Sequence, residues 1–367
     1  MKRWLLHIWC IGVFGMLAAS CSQIIDDPIN EGNCGLETEE VKVTFTIAMG
    51  SPESSSRADI SSNDPWGNYD EENENETMGN RYFDNKIEPN KLQVIICDAS
   101  YNPIVEVEKL LYTQTGTNVY TFTGSFTAEM SANNSYKIVV FANCPDVTIS
   151  EASTASIWET YIPMEMPSGK TEDLTSIPMW GVETISGYAF TPGTNTNIGT
   201  IFVLRAMAKV EIALADEIAE EYALTSASFN TYNTKVNCMP SGYAKVEKTE
   251  ELKTVDCFND NDISSSEGLA FMNVVEGKRL VAYVPEYDNE GSLEMKVILS
   301  GNEYIIPFND IDSSTPFDVI RNHYYEYTIT GVNEEVEVKV ESITYQVVPW
   351  SFGTTDTDVN ITVPDFN

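Results

Sequence analysis

The residue best placed for covalent chemistry is Cys21. It closes the string Leu17-Ala18-Ala19-Ser20-Cys21, which follows Lys2, Arg3 and a mostly apolar run from Trp4 to Leu17. A basic start, an apolar core and small residues before a cysteine make a lipoprotein signal with a lipobox, whose cysteine carries the lipid as the first residue of the mature chain. The competing reading is a membrane-spanning helix. A run that stops by Leu17 falls short of the roughly 20 apolar residues a span needs, and polar Ser22 and Gln23 follow at once.

Most other side-chain chemistry lacks its material. Of the two histidines, His7 lies in the signal and only His323 remains. Ser-His-Asp, Cys-His and multi-His metal sites therefore have one residue to share. His323 sits in Arg321-Asn322-His323-Tyr324-Tyr325-Glu326-Tyr327 and reads as a structural residue at the start of a strand. Acidic residues number 56, so counting alone does not rule out a glycosidase pair, and abundance is no evidence for one. The acidic stretch Asp64, Asp70, Glu71, Glu72, Glu74 and Glu76 lacks the Asp-x-Asp-x-Asp-Gly spacing of a calcium loop and reads as a solvated segment. No CxxC or Cys/His pair suggests zinc. We expect no catalytic residue, metal or cofactor, and no enzyme.

Once Cys10 leaves with the signal and Cys21 carries lipid, Cys34, Cys97, Cys144, Cys238 and Cys257 remain. An odd number leaves at least one thiol unpaired. Cys238 with Cys257 is the pair to test first, because both flank a polar loop. The signal holds two of the 21 basic residues and no acidic ones, so its removal takes the formal charge from −35 to −37. Such a chain repels nucleic acid and anionic membrane surfaces, since phosphate-binding faces need clustered Lys and Arg.

The elements that would position any site are strands. In Val41-Lys42-Val43-Thr44-Phe45-Thr46-Ile47-Ala48-Met49 every odd position is apolar, the period of a half-buried strand. The segment Gly50-Ser51-Pro52-Glu53-Ser54-Ser55-Ser56-Arg57-Ala58-Asp59 then breaks the pattern and reads as a protease-accessible loop. Strands resume at Lys91–Cys97, Val119–Gly124 and Ser135–Ala142, a sandwich signature. Residues 146–200 are rich in Thr, Ser, Pro and Gly, with Trp158 and Trp180 as local anchors and a short helix near 150–160. A second apolar series begins at Ile201–Ile212. It continues through Leu280–Val284, Leu293–Leu299, Glu303–Pro307, Tyr324–Ile329 and Val336–Val340. Long amphipathic helices are scarce, so the economical fold is all-β, two antiparallel β-sandwich domains in tandem.

Several strings, taken in order, resemble the fimbrillin family of the Bacteroidales, the FimA-like and Mfa-like subunits of type V pili. They are the Cys21 lipobox, the early strand with Ser56-Arg57-Ala58, Leu92–Ile96, Phe141-Ala142-Asn143, Ile177–Gly181, Leu204–Val210, Tyr283–Glu286, Arg321–Tyr325 and Val347–Trp350. Each is weak alone; in order they span nearly the whole chain. The resemblance implies two transthyretin-like sandwiches, export as an outer-membrane lipoprotein, and a cut by an Arg-specific surface protease between Arg57 and Ala58. That cut would release Val41, Val43, Phe45, Ile47 and Met49 on their strand and open a groove for a segment of another copy or another pilus subunit. The expected divisions are a signal over 1–20, a tether and removable strand over 21–57, sandwiches over 58–197 and 198–350, and a tail over 351–367.

The tail matches the period of the strand to be replaced, with Val359, Ile361 and Val363 alternating with Asn360 and Thr362, and Pro364 ending any ladder. The alternatives are an ordinary edge strand at 41–49 that never leaves, and a tail folded on its own domain. The expected function is a structural pilus subunit that polymerises by donor-strand exchange and contributes to adhesion. A lipid-retained anchor or tip subunit, or a glycan-binding surface lipoprotein, is the alternative.

Overall fold

The computed structural model describes residues 40–49, 86–116, 119–128, 130–147, 163–166, 169–171, 174–188, 190–249, 268–309, 314–332 and 343–348. The expected helix near 150–160, the acidic segment, the strand at Val336–Val340 and the tail lie outside them. Among the described residues the fold is all-β, with helical geometry confined to single turns such as Pro89–Lys91 and Tyr243–Lys245.

In chain order the first strands are β1 (Val41–Met49), β2 (Leu92–Asp98), β3 (Pro103–Glu106), β4 (Glu108–Gly116), β5 (Val119–Phe126) and β6 (Ser135–Ala142). They are followed by β7 (Pro163–Glu165), β8 (Met179–Ser186) and β9 (Asn195–Arg205). All but β7 join one sheet in the order β3-β2-β6-β8-β9-β1-β5-β4. Its two ends are consecutive in sequence, because β3 and β4 are separated only by Val107, whose N–H is accepted by Val94 O at 2.8 Å. Lys109 turns the chain there with φ of +54°. The sheet therefore folds into two layers, β3-β2-β6-β8 and β9-β1-β5-β4, joined along both sides.

The other seam is short: β8 pairs β9 only over Met179–Gly181 against Arg205–Val203. Gly181 is needed there, since a Cβ would collide with the Phe202 carbonyl. Between the layers lies an apolar core that includes Val43, Phe45, Val94, Phe122, Ile138, Val140, Ile201 and Val203.

The second sandwich is built from β10 (Met207–Leu214), β11 (Leu224–Phe229), β12 (Lys235–Asn237), β13 (Met272–Val275), β14 (Arg279–Pro285), β15 (Glu294–Leu299), β16 (Asn302–Pro307), β17 (Tyr324–Ile329) and β18 (Ile343–Val348). One sheet runs β13-β14-β10-β17-β18 and the other β11-β15-β16, while β12 pairs with β7. The apolar series expected as one run from Ile201 is thus two strands in two sheets, with Ala206 alone between them. The division expected at 197/198 falls inside β9, which stays in the first sheet through its pairing with β1 and β8. The physical reason is that the apolar run at the end of β9 continues through Ala206 into β10, which is buried at every position, so hydropathy marks no boundary.

The junction is held by buried polar groups. Arg321 donates through Nε and Nη2 to Glu286 at 2.8 and 2.6 Å, and both side chains are almost wholly buried. The same guanidinium donates to Asn237 O and Cys238 O at 3.0 and 3.2 Å. Burial raises the Glu286 carboxyl, and the charge and hydrogen bonds of Arg321 oppose that shift. Next to it Asn322, with φ of +59°, accepts from Arg205 Nη1 at 2.9 Å, and its own N–H is accepted by Met207 O at 2.9 Å. On the first sandwich Asn143 donates to Lys86 O and Ile177 O and accepts from Glu88 N.

Beyond the junction, the segment after β12 lies on the outer face of the first sandwich. Met239 and Val246 pack there with Ile95, Val139, Phe141, Trp180 and Val182. Lys137 Nζ reaches Glu247 at 2.6 Å, and Thr249 Oγ1 bonds both Val182 N and Val182 O.

Breaking a buried ion pair leaves one charge without its partner, which costs about 3–5 kcal/mol. Arg321→Met should lower the urea-unfolding free energy by that amount, and Arg321→Met with Glu286→Leu should recover much of the loss. Equal losses in the single and double variants would show that the pair itself contributes little.

Candidate functional site

The site that the described residues assemble is not a cleft but a strand and the slot that holds it. Strand β1 alternates because one face meets the core and the other does not. Val41, Val43, Phe45, Ile47 and Met49 are each at most 3% exposed, while Lys42 is exposed and Thr44 and Thr46 are half-buried. Phe45 stacks on Phe122 with centroids 5.6 Å apart and planes 14° apart, and Tyr112 stacks on the same Phe122 at 5.7 Å. Aromatic pairs at such separations add to their area burial.

Strand β1 is an interior strand, so the edge-strand alternative does not describe it. On one side it pairs antiparallel with β5, from Val41 opposite Phe126 to Ala48 opposite Val119. On the other it pairs parallel with β9, from Lys42 opposite Asn195 to Met49 opposite Val203. The second ladder slips between Thr44 and Thr46, opposite Asn197–Thr200. There Gly199 adopts φ of +88° and its N–H is accepted by Asn197 Oδ1 at 3.0 Å, a bulge that glycine accommodates without strain.

Polar contacts on the solvent side set the register. Asn195 Nδ2 donates to Thr44 Oγ1 at 2.9 Å, Lys42 N is accepted by Thr194 O at 3.3 Å, and Gly193 N is accepted by Glu40 O at 3.1 Å. The Lys109 ammonium bonds Glu40 and holds its carboxyl below the usual range. That pair is solvated and adds little to stability.

Taking β1 away would leave the inner edges of β5 and β9 facing each other across two strand spacings, about 9–10 Å. Both edges would carry unpaired N–H and C=O groups above pockets shaped by five apolar side chains. One extended segment with apolar residues at alternate positions fits that slot. Burying five such side chains contributes on the order of 10 kcal/mol before ordering costs. Among the described residues, no group of three or more His, Cys, Asp or Glu side chains could hold a metal. His323 is buried, with Nδ1 at 2.9 Å from Arg321 O, and burial lowers its pKa.

The structure brings Val41, Val43, Phe45, Ile47 and Met49 together on one face. Cys21, Arg57, Ala58, Val359, Ile361 and Val363 lie outside the described residues, as do Cys34 and Cys257. The partners of β1 escaped the sequence reading. Phe122 was within an expected strand, but nothing local says that it stacks on Phe45, 77 positions earlier. Asn195, Asn197 and Gly199 read only as part of a polar stretch.

No protein-family model and no curated protein matches the chain. Among solved structures, a fimbrial assembly protein from Parabacteroides distasonis aligns over 84% of this chain and 100% of its own, at 12% identity and a TM-score of 0.44. A candidate cell adhesion protein from Bacteroides uniformis aligns over 72% of this chain and 93% of its own, at 13% identity and a TM-score of 0.44. Another, from Bacteroides eggerthii, aligns over 86% and 97%, at 14% identity and a TM-score of 0.43.

Truncating a buried aromatic removes transfer energy and leaves a cavity, about 3–5 kcal/mol together. Phe45→Ala should destabilise the full chain by that amount in urea denaturation, while Lys42→Ala on the opposite face of β1 should stay within about 0.5 kcal/mol. Equal effects at the two positions would contradict the placement of β1.

Proposed function

We propose that this chain is a structural subunit of a type V pilus, exported as an outer-membrane lipoprotein acylated at Cys21 and activated by cleavage between Arg57 and Ala58. The released piece carries β1. The emptied slot takes an extended segment from another copy or another pilus subunit, and Val359, Ile361 and Val363 of the tail are the side chains assigned to its pockets. The finished subunit belongs to a cell-surface fimbrium and contributes to adhesion, and the precursor's partners are the membrane, through its lipid, and an Arg-specific surface protease. The chain acts without catalysis or a cofactor.

One observation carries the reading: a nine-residue strand that lies between two partners, with its core face fully buried, precedes a polar segment containing a single arginine before Arg81. Loss of such a strand exposes backbone groups on both sides of the gap, which strongly favours a replacement. The same fact supports a second outcome for the same protein. An uncut chain keeps its slot filled and its lipid attached, which suits an anchor. A glycan-binding role has less support: among the described residues the large exposed apolar side chains are Ile104, Leu111, Val275 and Ile305, none of them aromatic.

Treating the purified precursor with an Arg-specific protease should give a new N-terminus at Ala58 and a ladder of oligomers resistant to mild denaturation. Arg57→Ala should abolish both, and deletion of residues 354–367 should abolish the ladder while leaving the cut intact. A cut without a ladder, or a ladder unaffected by the deletion, would sink the exchange as drawn; no cut at all would assign the anchor role.

A further inference from the structure

The segment that follows β12 brings a second cysteine against the first sandwich. Cys144 follows β6 and Cys238 follows β12, 94 positions later, yet both are buried in the apolar cluster that covers the outer face of β2, β6 and β8. The Cys144 sulfur lies against Cys238, and its single S–H has Ala142 O at 3.3 Å and Met179 O at 3.4 Å as alternative acceptors. Both backbones are fixed. The Asn143 side chain ties the end of β6 to residues 86, 88 and 177, and Arg321 Nη1 donates to Cys238 O. Cys97, the third buried cysteine among the described residues, lies opposite Lys137 in the β2–β6 ladder and packs in the cluster that holds Tyr101.

We infer that Cys144 and Cys238 are a disulfide site that covalently joins the first sandwich to the segment leading into the second. Each thiol gives up one hydrogen, and the two electrons and two protons pass to an external disulfide, which is reduced to two thiols. The exchange runs through a mixed disulfide. It belongs to folding, because in the folded chain Cys144 and Cys238 are buried out of reach of an external disulfide. The bond would close a long loop across the junction, where tension along a fibre would otherwise pull the sandwiches apart. An oxidising setting depends on the export proposed above, but the pairing itself is tested independently of it.

The full chain is refolded from denaturant with and without oxidised glutathione, alkylated, digested and mapped by mass spectrometry. Refolding with the oxidant should link the Cys144 and Cys238 peptides, leave Cys97 alkylated, lower the intact mass by about 2 Da and raise Tm by about 5–10 °C over the reduced protein. Folded, reduced protein given the same oxidant should stay unlinked. Cys144→Ala, and Cys144→Ala with Cys238→Ala, should fold without the linked peptide and without any redox dependence of Tm. A Cys238–Cys257 link, or alkylation of both Cys144 and Cys238 after oxidative refolding, would overturn the inference. Either result would leave the pilus reading untouched, and a pilus assay that fails would leave the link standing.

Discussion

The rest of the molecule depends on the requirement that a buried backbone have hydrogen-bond partners on both sides. Strand β1 meets it with β5 on one side and β9 on the other, and among the described residues neither neighbour has a substitute partner for the stretch that β1 occupies. An edge strand can leave a sheet and expose one ladder. An interior strand cannot leave without splitting its layer in two. The core between the layers is lined by β1 from Val41 to Met49, so the gap would be apolar as well as unpaired. Backbone and side chains therefore demand the same replacement, an extended segment with period two.

The junction between the sandwiches rests on a different interaction. Strings from distant parts of the chain meet there: Arg205 and Met207, Glu286, and Arg321 with Asn322. A buried guanidinium with four acceptors is expensive to desolvate and is tolerated only with its partners in place. It also joins elements that the apolar cores alone would not fix, because Asn237 and Cys238 bring in the segment that covers the first sandwich. Several strings that suggested a family resemblance thus have a physical role in this chain, which is to supply the polar groups where one sandwich becomes the other.

Legibility in the sequence followed the number of faces a strand exposes. Strand β1 stands out because one face is wet, and the alternation alone marks its five core positions. Strand β10 is buried at every position, so alternation vanished and its start at Met207 was absorbed into the preceding run. Strand β4 was missed because the ladder to β5 slips between Glu108 and Leu111, where Lys109 turns out of extended geometry. Strand β8 was hidden by Gly181 and Trp180, residues explained only by a close approach to β9 and a second apolar layer outside the sheet. Pairings across long separations, such as Phe45 with Phe122 or Cys144 with Cys238, leave no local trace.

The two sandwiches also explain why only one of their first strands is suited to leave. Strand β10 repeats the position of β1, pairing antiparallel with β14 and parallel with β17, just as β1 pairs with β5 and β9. The difference lies in what surrounds them. Strand β10 follows β9 with Ala206 alone between, is buried on both faces, and carries Lys209 and Glu211 on its outer face, where Glu211 is paired with Arg279 at 3.0 Å. Removing it would strand those charges and break the chain at the junction. Strand β1 has only Lys42, Thr44 and Thr46 on its outer side down to Thr46, and 36 residues separate Met49 from Lys86, where the described chain resumes. A cut within that stretch severs no described strand. The same topology occurs twice among the described residues, and chain connectivity together with the outer-face charge sets the two copies apart: loss of β10 would break the described chain, and loss of β1 would not.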